Sequence, residues 1–279
     1  MLKSCLIFIV VCVSLFVNCG HRNTTNSEDA SKIPPQYSIR PSKDVDISKY
    51  RKDKADYIIL FDGKDLNGWR GYGKDHLPAK WKIMDSCLIP KQNNEEGGDI
   101  IFGYKFKNFD LQLEWKISKG GNSGIFYLAQ EVLTKDPVTE EDKLQAIYIS
   151  APEYQILDIA NHPDAKLGKD GNRQSGSLYD MIPAKPQVSN PYGEWNISRI
   201  VVQNGNVQHY LNDVKVVEYS FTSPRWIEIL QSSRFGENKW PLAFELLKDC
   251  GGKKHEGYIG FQDWNHEVAF RNIRVKILN

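Results

Sequence analysis

The stretch FDLQLEWKI, residues 109 to 117, limits the fold more than any other part of the chain. Period two puts Phe109, Leu111, Leu113, Trp115 and Ile117 on one face and Asp110, Gln112, Glu114 and Lys116 on the other. A strand turns successive side chains to opposite sides, whereas a buried helix stripe needs a period near 3.6, so the pattern reads as a strand with one core face. From Tyr57 onward the chain continues in short alternating runs separated by turn residues, without a long 3.6-period stretch. That organisation predicts an all-β domain of sandwich or barrel type.

A second clear pair is RIVVQNGNVQHYLNDVKVVEY, where Asn204-Gly205 supplies the positive φ angles of a tight hairpin turn. His209 falls on the row of Val207 and Leu211, and Asn212 on the row of Gln208 and Tyr210. GYIGFQD (257 to 263) and VAFRNIRVKIL (268 to 278) close the chain, and the link from Trp264 to Glu267 is short enough for a hairpin. Residues 128 to 150 and 160 to 193 show little alternation and read as loops, with one turn of helix expected from Glu140 to Gln145. Long loops carried on a rigid sheet are where sites are built.

The first 19 residues, MLKSCLIFIVVCVSLFVNC, carry a Lys and then an apolar run from Leu6 to Val17. The run is too short to span a bilayer and has the form of a signal-peptide core, so export is expected. It ends at Cys19 in a relaxed lipobox, which makes Cys19 the expected lipidation site of a bacterial lipoprotein held at the periplasmic or cell-surface membrane through that anchor. Plain cleavage is the alternative. Residues 20 to 55 are polar and Pro-containing and read as a flexible tether, leaving 56 to 279 as the folded domain. The 36 basic and 35 acidic residues leave a net charge of +1, so no long-range field recruits nucleic acid. Cys87 and Cys250 are the only cysteines outside the leader, and they either pair or sit apart as buried thiols.

The segment APEYQILDIANHPDA, residues 151 to 165, interleaves strand formers with acids and an amide. Period two puts Glu153, Gln155 and Leu157 on one face and Tyr154, Ile156 and Asp158 on the other. Such a row is either a solvated outer face or a grip for hydroxyl groups. In GGNSGIFY (120 to 127), Gly120, Gly121 and Gly124 permit close backbone approach while Asn122 and Ser123 offer polar groups. No Lys-Ser/Thr follows, so this is not a phosphate loop. Of the carboxylates, Glu114, Glu153, Asp158, Asp180 and Asp263 are candidates, and His162, His209, His255 and His266 complete the inventory. The histidines lack zinc-site spacing, whereas a calcium ion held by carboxylates and carbonyls needs no compact motif and stays open. Trp195, Tyr179 and Trp264 lie in or beside loops, where rings pack on sugar faces.

Taken together, FDGKDLNGW (61 to 69), FDLQLEWKIS, GGNSGIFY, PEYQILD, GSLYDMIPA (176 to 184), GEWN (193 to 196), QHYLN (208 to 212) and GFQD...VAFRNIRVKIL resemble the 3-keto-disaccharide hydrolase family. The resemblance runs in order from about Ile59 to Leu278 and implies a concanavalin A-like jelly-roll β-sandwich of two antiparallel sheets. It implies cleavage of glycosides oxidised to a ketone at sugar C3. A base would remove the acidified C2 proton, donors would hold the enolate, the anomeric substituent would leave by β-elimination, and water would add. Carried over to matched positions, the resemblance implies Glu153, His209 and Asp263 as catalytic groups. Glu114, Asn122, Gln155, Asn212 and Gln262 would bind substrate, with Tyr179 and Trp195 stacking the sugar. The chain departs from the family pattern in two places: Leu128 replaces an Arg, and Gln262-Asp263-Trp264-Asn265 replaces Gln-Asp-His-Gly, with His266 nearby. The rival readings are a non-catalytic sugar-binding module and a conventional glycosidase with two opposed carboxylates.

Overall fold

The computed structural model describes residues 36 to 279, so the leader and Cys19 lie outside the described residues. Two antiparallel sheets form a sandwich. The larger has eight strands, in the order Val214–Ser220, Asn206–Leu211, Asn196–Gln203, Phe109–Ile117, Val268–Ile277, Cys87–Pro90 and Trp81–Met84, with Ile58–Phe61 also paired to Val268–Ile277. The smaller has five, in the order Glu153–Leu157, Asn122–Ala129, Tyr258–Phe261, Ile100–Phe102 and Trp69–Gly71.

The alternating segment behaves as its pattern requires: Phe109, Leu111, Leu113, Trp115 and Ile117 are each at most 2% exposed. Across the sandwich they join Ile125, Tyr127, Tyr154 and Ile156 from the smaller sheet in one core. Each such side chain contributes roughly 1.5–3 kcal/mol through burial. The Trp115 indole donates to Ser198 Oγ at 2.8 Å, which satisfies its one polar atom inside that core. Asn204 and Gly205 both take positive φ, 50° and 81°, and close the hairpin that pairs Gln203 with Asn206.

Four expectations are corrected. The link from Trp264 to Glu267 is not a hairpin, because Tyr258–Phe261 belongs to the smaller sheet and Val268–Ile277 to the larger, so this link changes layers. No helical turn forms over 140 to 145; Glu140 takes φ 58°, and Asp142–Leu144 instead pairs with Val132–Lys135. Two short helices, Pro224–Ser232 and Pro241–Leu247, stand where no helical period was read. Each is about two turns long, too brief to show a period, and each is held by packing: Trp226 is fully buried and its indole donates to Leu247 O at 2.9 Å. Finally, the described end of the expected tether is docked. Tyr37–Ile39 pairs with Val132–Lys135, and Val45, Ile47 and Tyr50 pack against the core. Scattered apolar residues, too few to show a period, suffice once an edge strand is available to pair with. Among the described residues Cys87 and Cys250 are both buried and form no disulfide.

Candidate functional site

The smaller sheet has two different faces. Tyr154, Ile156, Ile125, Tyr127 and Phe261 point into the sandwich core. The opposite parity carries a separate apolar cluster, including Phe126, Ile101, Ile147 and Tyr258, on the outer face. Register continues that outer row into polar residues: Glu153 lies opposite Phe126, and Gln155 opposite Gly124. Next to them, Gln262 N–H donates to Gly124 O at 3.0 Å, so Gln262 joins from the neighbouring strand end. The acids and amides that looked like an ordinary outward row thus share one surface with a glycine at its centre.

Gly124 is a requirement of that surface. A β-carbon there would lie 2.2 Å from Glu153 Oε1, so the missing side chain is the space the carboxyl occupies. Beyond the strand, the chain folds back over this surface. Asp158 accepts from Gly120 N–H at 2.7 Å and from the Asn161 amide at 2.7 Å, fixing a turn. His162 Nδ1 then accepts from Asp164 N–H at 3.1 Å and caps the short 3-10 helix Pro163–Lys166. The result is a cleft of about 300 Å³. Asn122, Glu153, Gln155, Gln262, Asp164, Tyr179, His162 and Arg234 supply its polar lining, and Tyr148, Phe235, Leu167, Pro163 and Trp264 its apolar wall. Trp264 is half exposed at the rim, which suits a ring that packs on an incoming ligand.

The electrostatics single out Glu153. Its side chain is buried, its carboxyl accepts no protein hydrogen bond among the described residues, and its pKa is raised to about 8, first by burial and then by the charge of Asp99, with Arg234 opposing. Asp99 itself is pushed up to about 7 by burial and by Asp263, although Asp263 N–H donates to it at 3.0 Å. Asp164 is a different kind of acid. It is paired with Arg173 at 2.9 Å and accepts from the Tyr179 hydroxyl at 3.1 Å, so it is a structural anion. Tyr179 is raised to about 12 by burial and then by that same Asp164 charge. His162 is lowered, first by burial and then by His266, whose ring lies 5.7 Å away. Among the described residues no group of three or more His, Cys, Asp or Glu side chains is arranged to hold a metal ion.

Of the ten catalytic and substrate-binding residues expected from sequence, Asn122, Glu153, Gln155, Tyr179 and Gln262 meet in the cleft. The others do not. His209 is fully buried in the sandwich, held between Tyr127 Oη at 2.8 Å and Gly176 O at 3.0 Å, and burial lowers its pKa to about 4. It is a neutral core residue, as its row with Val207 and Leu211 dictates. Asp263 sits beside Gln262, but its carboxyl is outside the cleft lining and holds a turn, accepting from Gly98 N–H at 2.9 Å and Asn265 N–H at 3.1 Å. Asn212 locks a loop through Val188 O and Ile197 N–H, both at 2.8 Å. Glu114 and Trp195 lie on the outer face of the larger sheet, where Arg271 binds the Glu114 carboxylate at 2.6 Å and stacks 3.7 Å over the Trp195 ring. Leu128, the departure from the family's Arg, is buried in the core and lines nothing, whereas Trp264, the other departure, is part of the cleft wall.

Sequence reading missed Asp99, Asp164, Arg234, Tyr148 and Phe235. Asp99 had one signal, the Gly97-Gly98 pair before it, because a tight glycine loop commonly aims its neighbour. Arg234 had none; it follows the helix that period analysis did not find.

A jelly-roll sandwich whose outer sheet face bears an aromatic-walled cleft with a buried acid at its floor has the build of a carbohydrate-cleaving enzyme. Comparison agrees. The family model of the 3-keto-α-glucoside-1,2-lyase-like domain matches residues 56 to 276, and the chain belongs to that family. A 3-keto-disaccharide hydrolase of Bacteroides thetaiotaomicron is 52% identical over 276 residues, 95% of each chain. Among solved structures, a Parabacteroides distasonis protein assigned to the glycosyl hydrolases superimposes with a TM-score of 0.64 at 27% identity, over 80% of this chain and 94% of that one. A second from the same organism shares the fold, with a TM-score of 0.53 at 23% identity over 80% and 99%.

Proposed function

We propose that this protein cleaves 3-keto-glycosides by elimination and hydration, with Glu153 as the proton-transfer group. The observation that carries the reading is an acid buried at the floor of the cleft, with no hydrogen-bond or ion-pair partner among the described residues. Most carboxylates are too weak as bases to remove a carbon-bound proton. Burial beside Asp99 makes the ionised form of Glu153 more basic, in the range where a general base works best near neutral pH.

The ketone at C3 acidifies the C2–H bond, and the Glu153 carboxylate takes that proton. The electron pair forms the C1–C2 double bond as the C1–O bond to the aglycone breaks, and the departing oxygen receives a proton, which Glu153 now holds. Water then adds at C1 of the enone and a proton returns to C2. The Gln155 amide oxygen accepts from Ile156 N–H at 3.0 Å, which leaves its NH2 to donate to the sugar alongside Gln262 and Asn122. Trp264 and Tyr148 pack its apolar face. A conventional glycosidase would need two available carboxyls, and the second acid in the cleft, Asp164, is already occupied by Arg173 and Tyr179.

Incubating the purified domain with a 3-keto-glucoside tests this directly. Aglycone release is expected from the wild type and a loss of roughly 10³-fold from Glu153→Gln. No release by the wild type, or undiminished release by the variant, would overturn the reading. As part of the same proposal, Cys19 carries a lipid that anchors the exported enzyme; loss of fatty-acid labelling in Cys19→Ala is the expected result.

A further inference from the structure

An enzyme for oxidised sugars has to tell a ketone from the alcohol that precedes it. The two oxygens differ in one respect: a carbonyl only accepts hydrogen bonds, while a hydroxyl also carries a proton that must find an acceptor. A donor-only group therefore discriminates between them, and arginine, with five N–H donors and no acceptor, is the strongest such group available.

Among the described residues Arg234, itself exposed to solvent, is the one Lys or Arg lining the cleft. Its backbone N–H donates to Asp180 Oδ2 at 2.9 Å, and Asp180 is in turn paired with Arg173 at 2.7 Å. That fixes the main chain where the helix Pro224–Ser232 ends. The guanidinium rests beside the rings of Phe235 and Trp240, 5.7 and 5.8 Å from their centroids. Among the described residues it makes no ion pair, although carboxyl groups line the same cleft and its charge reaches Glu153. A second group carries the complementary need. Among the described residues Asn122 Oδ1 is a buried acceptor with no hydrogen-bond partner, on a residue only 8% exposed that also lines the cleft. Left unpaired it carries the cost of its lost hydration, which a ligand hydroxyl would recover.

We infer that Arg234 is the residue that selects the oxidised substrate: its donors bind the C3 carbonyl oxygen, and Asn122 Oδ1 accepts from a hydroxyl of the same sugar. The inference rests on the proposed chemistry and names how its substrate is recognised. The parent alcohol placed in the same pose could offer a lone pair to the guanidinium only by turning its proton away, and that proton would then need an acceptor that the arginine cannot supply. As the C2 proton leaves, the same guanidinium faces the oxygen on which enolate charge develops, so Arg234 serves binding and elimination together.

The test is a calorimetric comparison of methyl 3-keto-glucoside with methyl glucoside, using Glu153→Gln as the background so that neither ligand turns over. The background variant is expected to prefer the ketone by about 30-fold or more, in line with the penalty for a mismatched polar group. Adding Arg234→Gln should collapse the preference to about 3-fold or less, mainly through weaker ketone binding, while Arg234→Lys, still donor-only, keeps most of it. Asn122→Ala should weaken both ligands by a similar factor and leave the ratio intact. An unchanged ratio in Arg234→Gln, with its thermal melt unaltered, overturns the inference. Turnover by the wild type judges the proposed reaction separately: aglycone release with an unchanged ratio sinks the Arg234 assignment alone. A collapsed ratio without release sinks the reaction and leaves the recognition standing.

Discussion

The outer faces of the two sheets are made from the same kinds of residue and do opposite things. On the larger sheet, Asp110 is clamped by Arg199 at 2.7 Å and by the Tyr57 hydroxyl at 2.8 Å. Arg274 pairs with Asp53 at 2.7 Å, and Glu114 takes Arg271 at 2.6 Å and the Asn272 amide at 2.6 Å. Every one of these charges has its partner within the protein. Over the smaller sheet, Glu153 and the loop residue Arg234 line one cleft without meeting, and among the described residues Asn122 Oδ1 accepts from nothing. A polar row that satisfies itself is a stabilised surface. One that leaves a buried acceptor and a buried acid unpaired, with an exposed arginine beside them, keeps those groups available to a ligand.

The contrast can be broken by experiment. After the roughly 10³-fold loss expected from Glu153→Gln, the largest effect is expected from Gly124→Ala, whose β-carbon would displace the Glu153 carboxyl while the register with Gln155 stays; kcat should fall by about 10²-fold with the fold retained, as read by circular dichroism. An equal loss from Glu114→Gln would mean that the two faces had been told apart wrongly.

His209→Gln should leave the pH profile of activity unchanged but destabilise the domain by about 2 kcal/mol or more, since a buried pair of hydrogen bonds to Tyr127 and Gly176 is disturbed. A shifted pH optimum in that variant would return His209 to the active site.

Glu153 itself should cost stability in a pH-dependent way. Folding raises its carboxyl from 4.5 to about 8, so between those values the folded state keeps a proton that the unfolded state has shed. Its contribution is therefore full below about pH 4.5, shrinks as pH rises through that window, and is lost above about 8. Denaturant melts of wild type and Glu153→Gln should differ least at pH 4.5 and most at pH 9, the variant gaining by up to a few kcal/mol, roughly as the size of the shift dictates. A gap independent of pH would mean that the acid is not buried as described. Catalysis should follow the opposite sign, with kcat/KM rising towards pH 8 as the base ionises.

The smallest effect belongs to Glu114→Gln, expected to lower stability by about 1 kcal/mol through the partly exposed Arg271 pair and to change kcat/KM by less than about twofold.

How much of this was legible follows from the range of the forces involved. Period-two alternation exposed the core face of Phe109–Ile117, the inward row of His209, and the outward row of Glu153 and Gln155, because parity along a strand is a local property. It could not say which outward row faced a cleft. Glu114 and Glu153 look alike in sequence, and only the pairing of Glu114 with Arg271, 157 residues away, separates them. Arg234 and Phe235 were invisible because the helix that delivers them is about two turns long and is held by tertiary packing of Trp226. Asp263 follows Gln262 directly, yet its carboxyl turns outside the cleft lining to accept from Gly98 and Asn265, a placement that depends on a contact 165 residues away.

What the sequence determined by itself was the strand pattern, the parity of every row and the glycine at 124, all set by interactions between near neighbours. What only the tertiary structure decided was which polar groups find partners and which are left over, because that depends on charges brought together from distant strands. The site is made of what is left over.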